Sequence, residues 1–257
     1  MPMMLEGGCF VTGLKEGGPE SCDGIRIWRH VTRKVGAESI SLRILEFPPG
    51  RSGELRNGRC DEVLYVIGGA GTLLLDGAQY QIETDSALFV GPDQSFSVLN
   101  NSSGSITIVS SQCPEPGPSS GRVPASSLGG HSGVPTVNPI VRLHDRVPEA
   151  TADRWYRVLV DKELGCNEST QFVGSIPPGR APDHFHHYEE VLCILQGSGR
   201  MWAGESNAPI QPGSCIFLPR GQLHCVENTG RSELRLLGVF HPAGSPAARY
   251  STDERAG

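Results

Sequence analysis

The residues most able to do chemistry in this 257-residue chain fall in its second half. One stretch reads Gly179-x4-His184-x-His186-x3-Glu190-x6-Gly197, and a later one reads Gly213-x5-Pro219-x-Gly221-x2-His224-x3-Asn228. His184 and His186 are two apart, so on a strand both side chains leave by the same face. On a helix they would diverge by about 200°, because each residue turns about 100°. Glu190 follows four residues after His186, far enough for the chain to turn and return beside the pair. His224 arrives from a separate hairpin, after the Pro-x-Gly turn. Three neutral imidazoles and one carboxylate suit a divalent transition metal, with positions left open for water or substrate. That chemistry requires a β framework to bring the two stretches together.

The rest of the chain is consistent with such a framework. Gly (33) and Pro (20) together are well above the ordinary usage of about 12%, which implies frequent turns and disfavours long helices. The apolar set is 37% and charged residues are 19%, enough for a packed core. A formal net charge of −6 argues against a phosphate-backbone binder, so no nucleic-acid partner is expected. No apolar run approaches the ~20 residues that span a bilayer, and no membrane partner is expected. MPMMLEGGCF has neither a basic region nor a continuous apolar run of secretory type, so the expected location is the cytoplasm. The eight cysteines form no C-x-x-C pair and read as small buried hydrophobes in a reducing compartment.

The chain repeats itself. Sliding it by 128 residues aligns 62–100 with 190–228 without a gap, with eleven identities in thirty-nine positions. Pro48-Pro49-Gly50 matches Pro177-Pro178-Gly179 after a single-residue shift. Between the copies, residues 114–139 hold six Pro, five Gly and five Ser, the composition of a linker. The expected division is therefore a first module over 1–113, a linker over 114–139 and a second module over 140–257. In each module short apolar runs alternate with turn residues, the pattern of an all-β sandwich or barrel. Val63 to Ile67, Thr72 to Leu75, Ala87 to Val90, Ile106 to Val109 and Trp155 to Val160 read as strands, while Asp145 to Arg154 could be helical.

The two stretches resemble the two sequence motifs of the cupin superfamily, and the internal repeat resembles a bicupin. The first stretch has one residue fewer than usual between its first glycine and first histidine; the second matches at every signature position. The resemblance implies two tandem cupin barrels of the double-stranded β-helix, or jelly-roll, type. It also implies the ligand set His184, His186, Glu190 and His224 for one ion: iron, manganese, nickel, copper or zinc. In the first copy, counting back from Glu62 puts Arg56 and Gly58 at the histidine positions and Phe96 at the last. That barrel is expected to hold no metal, with Phe96 filling the space.

Other residues carry less. His187, Tyr188 and Glu189 could support a ligand by hydrogen bond but read first as a solvated turn. Cys193 and Cys225 stand an odd number of residues from a ligand, which directs them to the opposite face. His241 reads as a surface residue. Phe172, Trp202 and Phe217 are candidate pocket walls. The resemblance implies a metal-dependent enzyme acting on a small molecule, first an oxidoreductase of dioxygenase type, as in quercetinases or thiol dioxygenases. The rivals are a non-redox isomerase, lyase, decarboxylase or aminohydrolase, and a ligand-binding cupin without catalysis. Because edge strands need covering, a homodimer is the default assembly.

Overall fold

The computed structural model describes residues 1–116 and 138–248. Most of the segment read as a linker, residues 117–137, lies outside the described residues. Almost all regular structure is β, arranged among the described residues as four sheets. In the first half, a seven-stranded sheet centred on Asp61–Gly68, Ile106–Cys113 and Leu42–Phe47 faces a five-stranded one that includes Ala70–Leu75 and Ser95–Asn100. In the second half, an eight-stranded sheet centred on Glu189–Gln196, Leu234–His241 and Thr170–Ile176 faces a four-stranded one of Gly179–Arg180, His224–Asn228, Gly199–Ala203 and Ser206–Ile210.

The two-residue period of a strand divides the apolar side chains into three cores. Leu64, Leu73, Phe96 and Ile108 fill the first sheet pair, and Leu192, Met201, Ile216 and Leu236 fill the second. The alternate residues, among them Val63, Tyr65, Val191, Cys193 and Phe217, pack the two large sheets against each other. Each such side chain taken fully out of water contributes about 1.5–3 kcal/mol. The barrels are therefore joined by a core as apolar as those inside them.

The expected strands are present, each within a longer one. Asp145 to Arg154 is not helical: a 3-10 turn over Leu143–Asp145 is followed by the strand Glu149–Thr151. Pro148 has no N–H to donate, and Glu149, Ala150 and Thr151 find partners across the ladder in Tyr156, Trp155 and Arg154. The repeated asparagines tie corresponding corners. Asn100 Nδ2 donates to the carbonyls of Phe47 (3.0 Å) and Gly104 (2.7 Å), and Asn228 Nδ2 to those of Ile176 and Ser232, both at 2.8 Å. Gly69 and Gly197, at φ +88° and +83°, make the same tight hairpin in each copy.

Two strands pair directly across the boundary between the copies, and Met3–Met4 follows one of them into the second half's sheet. Phe10–Gly13 pairs with Ser214–Leu218 in the second half's large sheet, and Ile140–Arg142 pairs with Ser86–Val90 in the first half's. Each large sheet is thus extended by a strand from the other side of the sequence division, which covers an edge that would otherwise be open. All eight cysteines are free, seven of them buried. Among the described residues no helix is long and apolar enough to cross a membrane.

Candidate metal centre

His184, His186 and His224 come together as their spacing suggests. The strand Gly179–Arg180 runs antiparallel to His224–Asn228, and past its end His184 and His224 exchange both backbone hydrogen bonds, at 3.0 and 2.9 Å. Their ring centroids are 4.5 Å apart, and His186 lies 4.8 Å from His184 and 5.1 Å from His224. One ring nitrogen from each can be chosen so that all three lie within 4.8 Å of one another.

Backbone carbonyls orient two of the rings. His184 Nδ1 lies 3.1 Å from the Pro182 carbonyl, and His224 Nδ1 lies 2.8 Å from that of Gln222. A carbonyl can only accept, so each Nδ1 carries the hydrogen and each Nε2 presents its lone pair. Burial, and then the neighbouring His184 ring, hold the His224 imidazole down to about 3, which keeps it neutral and able to ligate. His186 is held differently. Its ring stacks on Tyr188 at 4.5 Å with 9° between planes, and Tyr188 stacks on Phe240 at 4.4 Å.

Glu190 is the second residue of the strand Glu189–Gln196, with its side chain turned inward, and its Oε2 is 3.8 Å from His186 Nε2. Burial pushes its carboxyl up to about 8. Among the described residues no Lys or Arg makes an ion pair with it. Three imidazoles whose ring nitrogens converge, with this carboxyl group 3.8 Å from one of them, offer donor types that a divalent ion fits.

These four residues line a cavity of about 100 Å³ together with Phe172, Tyr188, Leu192 and Leu236. Trp202 and Phe217 are not on its wall. Trp202 Nε1 donates to Glu227 at 2.8 Å, and its ring lies under the Arg180 guanidinium at 4.2 Å, outside the barrel. Phe217 sits one residue out of phase with the inward set. It pairs with Val191 rather than Glu190 and packs on Phe10 between the barrels. Cys193 faces that same inter-barrel core, while Cys225 is buried with its sulfur 3.3 Å from Arg180 Nε. His241 Nδ1 is 2.7 Å from the Glu168 carbonyl, away from the cavity. Tyr188 and Glu189, expected in a solvated turn, are both buried; His187, between His186 and Glu190, is exposed. Arg154, Tyr156 and Ser175 also line the cavity, and their places in alternating strands carried no distinguishing signal.

The first barrel provides the matching view. Phe96 is 1% exposed in its interior. Phe96 pairs with Leu55 where His224 pairs with His184. Leu55 and Asn57 therefore hold the histidine positions, not Arg56 and Gly58. The reason is a loop one residue longer: three residues separate Asn57 from Asp61, and two separate His186 from Glu189. Glu62 is fully buried and neutralised within the protein. Arg43 Nη2 and Ser110 Oγ each donate to its Oε1 at 2.5 Å, and Gln112 Nε2 donates to its Oε2 at 3.3 Å.

Comparison with known proteins agrees with this architecture. The Cupin domain family matches residues 172–240. The oxalate-binding protein of Thermotoga maritima is 34% identical over 85 residues, covering 32% of this chain and 70% of that protein. A variant of Bacillus subtilis oxalate decarboxylase superimposes with a TM-score of 0.72 at 14% identity, covering 95% of this chain and 80% of that one. The Ylba protein of E. coli does so with a TM-score of 0.72 at 15% identity, covering 93% of each. A double barrel with three converging imidazoles in one half defines a metal-binding type of β-barrel protein. The chain belongs to the cupin superfamily, as a bicupin.

Proposed function

We propose that the chain is a metal-dependent enzyme acting on a small carboxylate, with one divalent transition ion held by His184, His186, Glu190 and His224. The observation that carries this reading is the lining of one cavity, where three imidazoles and Glu190 share the wall with Arg154. Arg154 donates through Nε to Asp153 at 3.2 Å, which leaves the terminal N–H groups of its planar guanidinium for a ligand. It would receive a carboxylate as a two-pronged donor. A volume of about 100 Å³ is below the ~300–1,000 Å³ of sites for drug-sized ligands, which favours a molecule of a few carbons. Phe172, Tyr188 and Leu236 exclude water around it.

When bound, the ion supplies Lewis-acid polarisation of a substrate oxygen or, if redox-active, a route for electrons. The oxalate-binding name of the Thermotoga relative supports a small dicarboxylate as the first substrate to try. A dioxygenase on the same centre is the second reading, because the donor set leaves positions for both substrate and O2. The test is elemental analysis of the purified chain and of the His184→Ala, His186→Ala double variant, followed by two- to four-carbon carboxylates with CO2 release and O2 uptake recorded together. About one ion per chain, lost in the double variant, supports the centre. CO2 release without O2 uptake indicates a lyase, and stoichiometric O2 uptake indicates the oxygenase. Tight binding with neither leaves a ligand-binding cupin. No metal after reconstitution overturns the proposal.

A further inference from the structure

Next to the inward-facing Glu190 stands Glu189, which faces the other barrel. It is 3% exposed. Its Oε1 accepts the backbone N–H of Glu38 at 2.7 Å, and its Oε2 accepts those of Ser39 at 2.7 Å and Ile40 at 3.2 Å. All three donors belong to the first barrel, in the segment that leads into the strand Leu42–Phe47. A carboxylate held by three backbone donors is fixed in both position and direction, because charge-assisted bonds are short and strong. Along a strand neighbouring residues are about 3.3 Å apart and point oppositely, so a displacement at Glu189 is passed directly to Glu190.

The first barrel has a twin of this contact. Asp61 precedes Glu62 as Glu189 precedes Glu190, and Asp61 Oδ2 accepts the N–H groups of Asn167 at 2.8 Å and Glu168 at 3.0 Å in the second barrel. The two contacts tie the same interface from opposite sides. Their consequences differ, because Glu62 is already fixed by Arg43, Ser110 and Gln112, whereas among the described residues Glu190 has no Lys or Arg ion pair and meets only the His186 ring, at 3.8 Å.

We infer that the first barrel is a positioning element for the metal centre, and that it acts through Glu189 on Glu190. This rests on the metal reading above. It assigns to the first barrel a task distinct from binding: setting the position of one ligand from outside the barrel that contains it. Glu189 is thus a positioning residue and touches neither ion nor substrate.

The twin supplies the control. Full-length Glu189→Gln, Glu189→Asp and Asp61→Asn variants are compared with the unaltered chain for Co2+ and Zn2+ affinity by competition titration, for the visible Co2+ spectrum, and for thermal unfolding without metal. Both Glu189→Gln and Asp61→Asn are expected to lower the unfolding temperature, since each weakens one cross-barrel contact. Only Glu189→Gln is expected to weaken metal binding, by about ten-fold or more, as loss of a ligand's supporting partner does. It alone should also alter the Co2+ spectrum. Glu189→Asp retains the charge with a shorter reach, folds even if the amide variant does not, and should show a smaller loss of the same kind. Equal affinity in the unaltered chain and both Glu189 variants overturns the inference and leaves the metal reading standing. So does an equal loss in Asp61→Asn, which would make the effect a general loosening of the interface. An unaltered chain that takes up no metal overturns both.

Discussion

The two barrels solve one problem, a buried glutamate, in opposite ways. In the first, Glu62 meets Arg43, Ser110 and Gln112. In the second, Glu190 meets the residues at the same ladder positions: Phe172, Gly238 and Phe240. Arg43 pairs with Ser110 across the strands as Phe172 pairs with Gly238. Gln112 pairs with Glu62 as Phe240 pairs with Glu190. Three polar neighbours have apolar counterparts, and three imidazoles stand where Leu55, Asn57 and Phe96 stand. A buried charge needs a counter-charge. One barrel builds it from arginine; in the proposed reading, the other would take it from a bound cation.

That contrast can be broken at several points. The largest expected effect is on the donors: His184→Ala, His186→Ala should take bound metal from about one ion per chain to none, measured by elemental analysis. Next is the internal counter-charge. Arg43→Met strands Glu62 in the first core and should cost about 3–5 kcal/mol in urea unfolding, with most of it recovered when Glu62→Gln is added. Transplanting the first solution into the second barrel is smaller and sharper. Phe172→Arg with Gly238→Ser removes the ring that lies 2.3 Å from a Cβ at position 238 and places a guanidinium near Glu190. A like charge a few ångströms from a bound cation costs about 4 kcal/mol at an effective dielectric near 20, so metal affinity should fall at least a hundred-fold in titration. Gly238→Ser alone should destabilise by about 1–3 kcal/mol through the clash with Phe172. The smallest effect tests the boundary of the site. Trp202→Phe loses one hydrogen bond to Glu227, about 1 kcal/mol, and should leave metal affinity unchanged.

How much of this is legible in the residue order follows from how local each feature is. The convergence of His184, His186 and His224 rests on short spacings and one hairpin, and spacing within a strand is geometry. The repeat is visible because its central strands and turns kept their lengths. The histidine positions of the first copy are misread by one because a single added residue between Asn57 and Asp61 shifts the count. Phe217 is misplaced because parity along a continuously buried strand, Ser214–Leu218, leaves no polar alternation to read. Arg43 shares the strand Leu42–Phe47 with a second charged residue, Glu46, but its own partner lies 19 residues away in a non-adjacent strand. Glu189 and Asp61 resemble ordinary surface acids until the other barrel is set against them.

The exchange of edge strands has a consequence for what counts as a unit. Phe10–Gly13 completes the second large sheet and Ile140–Arg142 extends the first. A chain cut between residues 117 and 137 would yield two fragments, each carrying a strand that belongs in the other's sheet and each exposing an inter-barrel apolar face. Such fragments are complementary halves, suited to reassembly on mixing and poorly suited to life apart. In that sense the tandem repeat is a dimer written as one chain, with its subunits interlocked at the sheet edges.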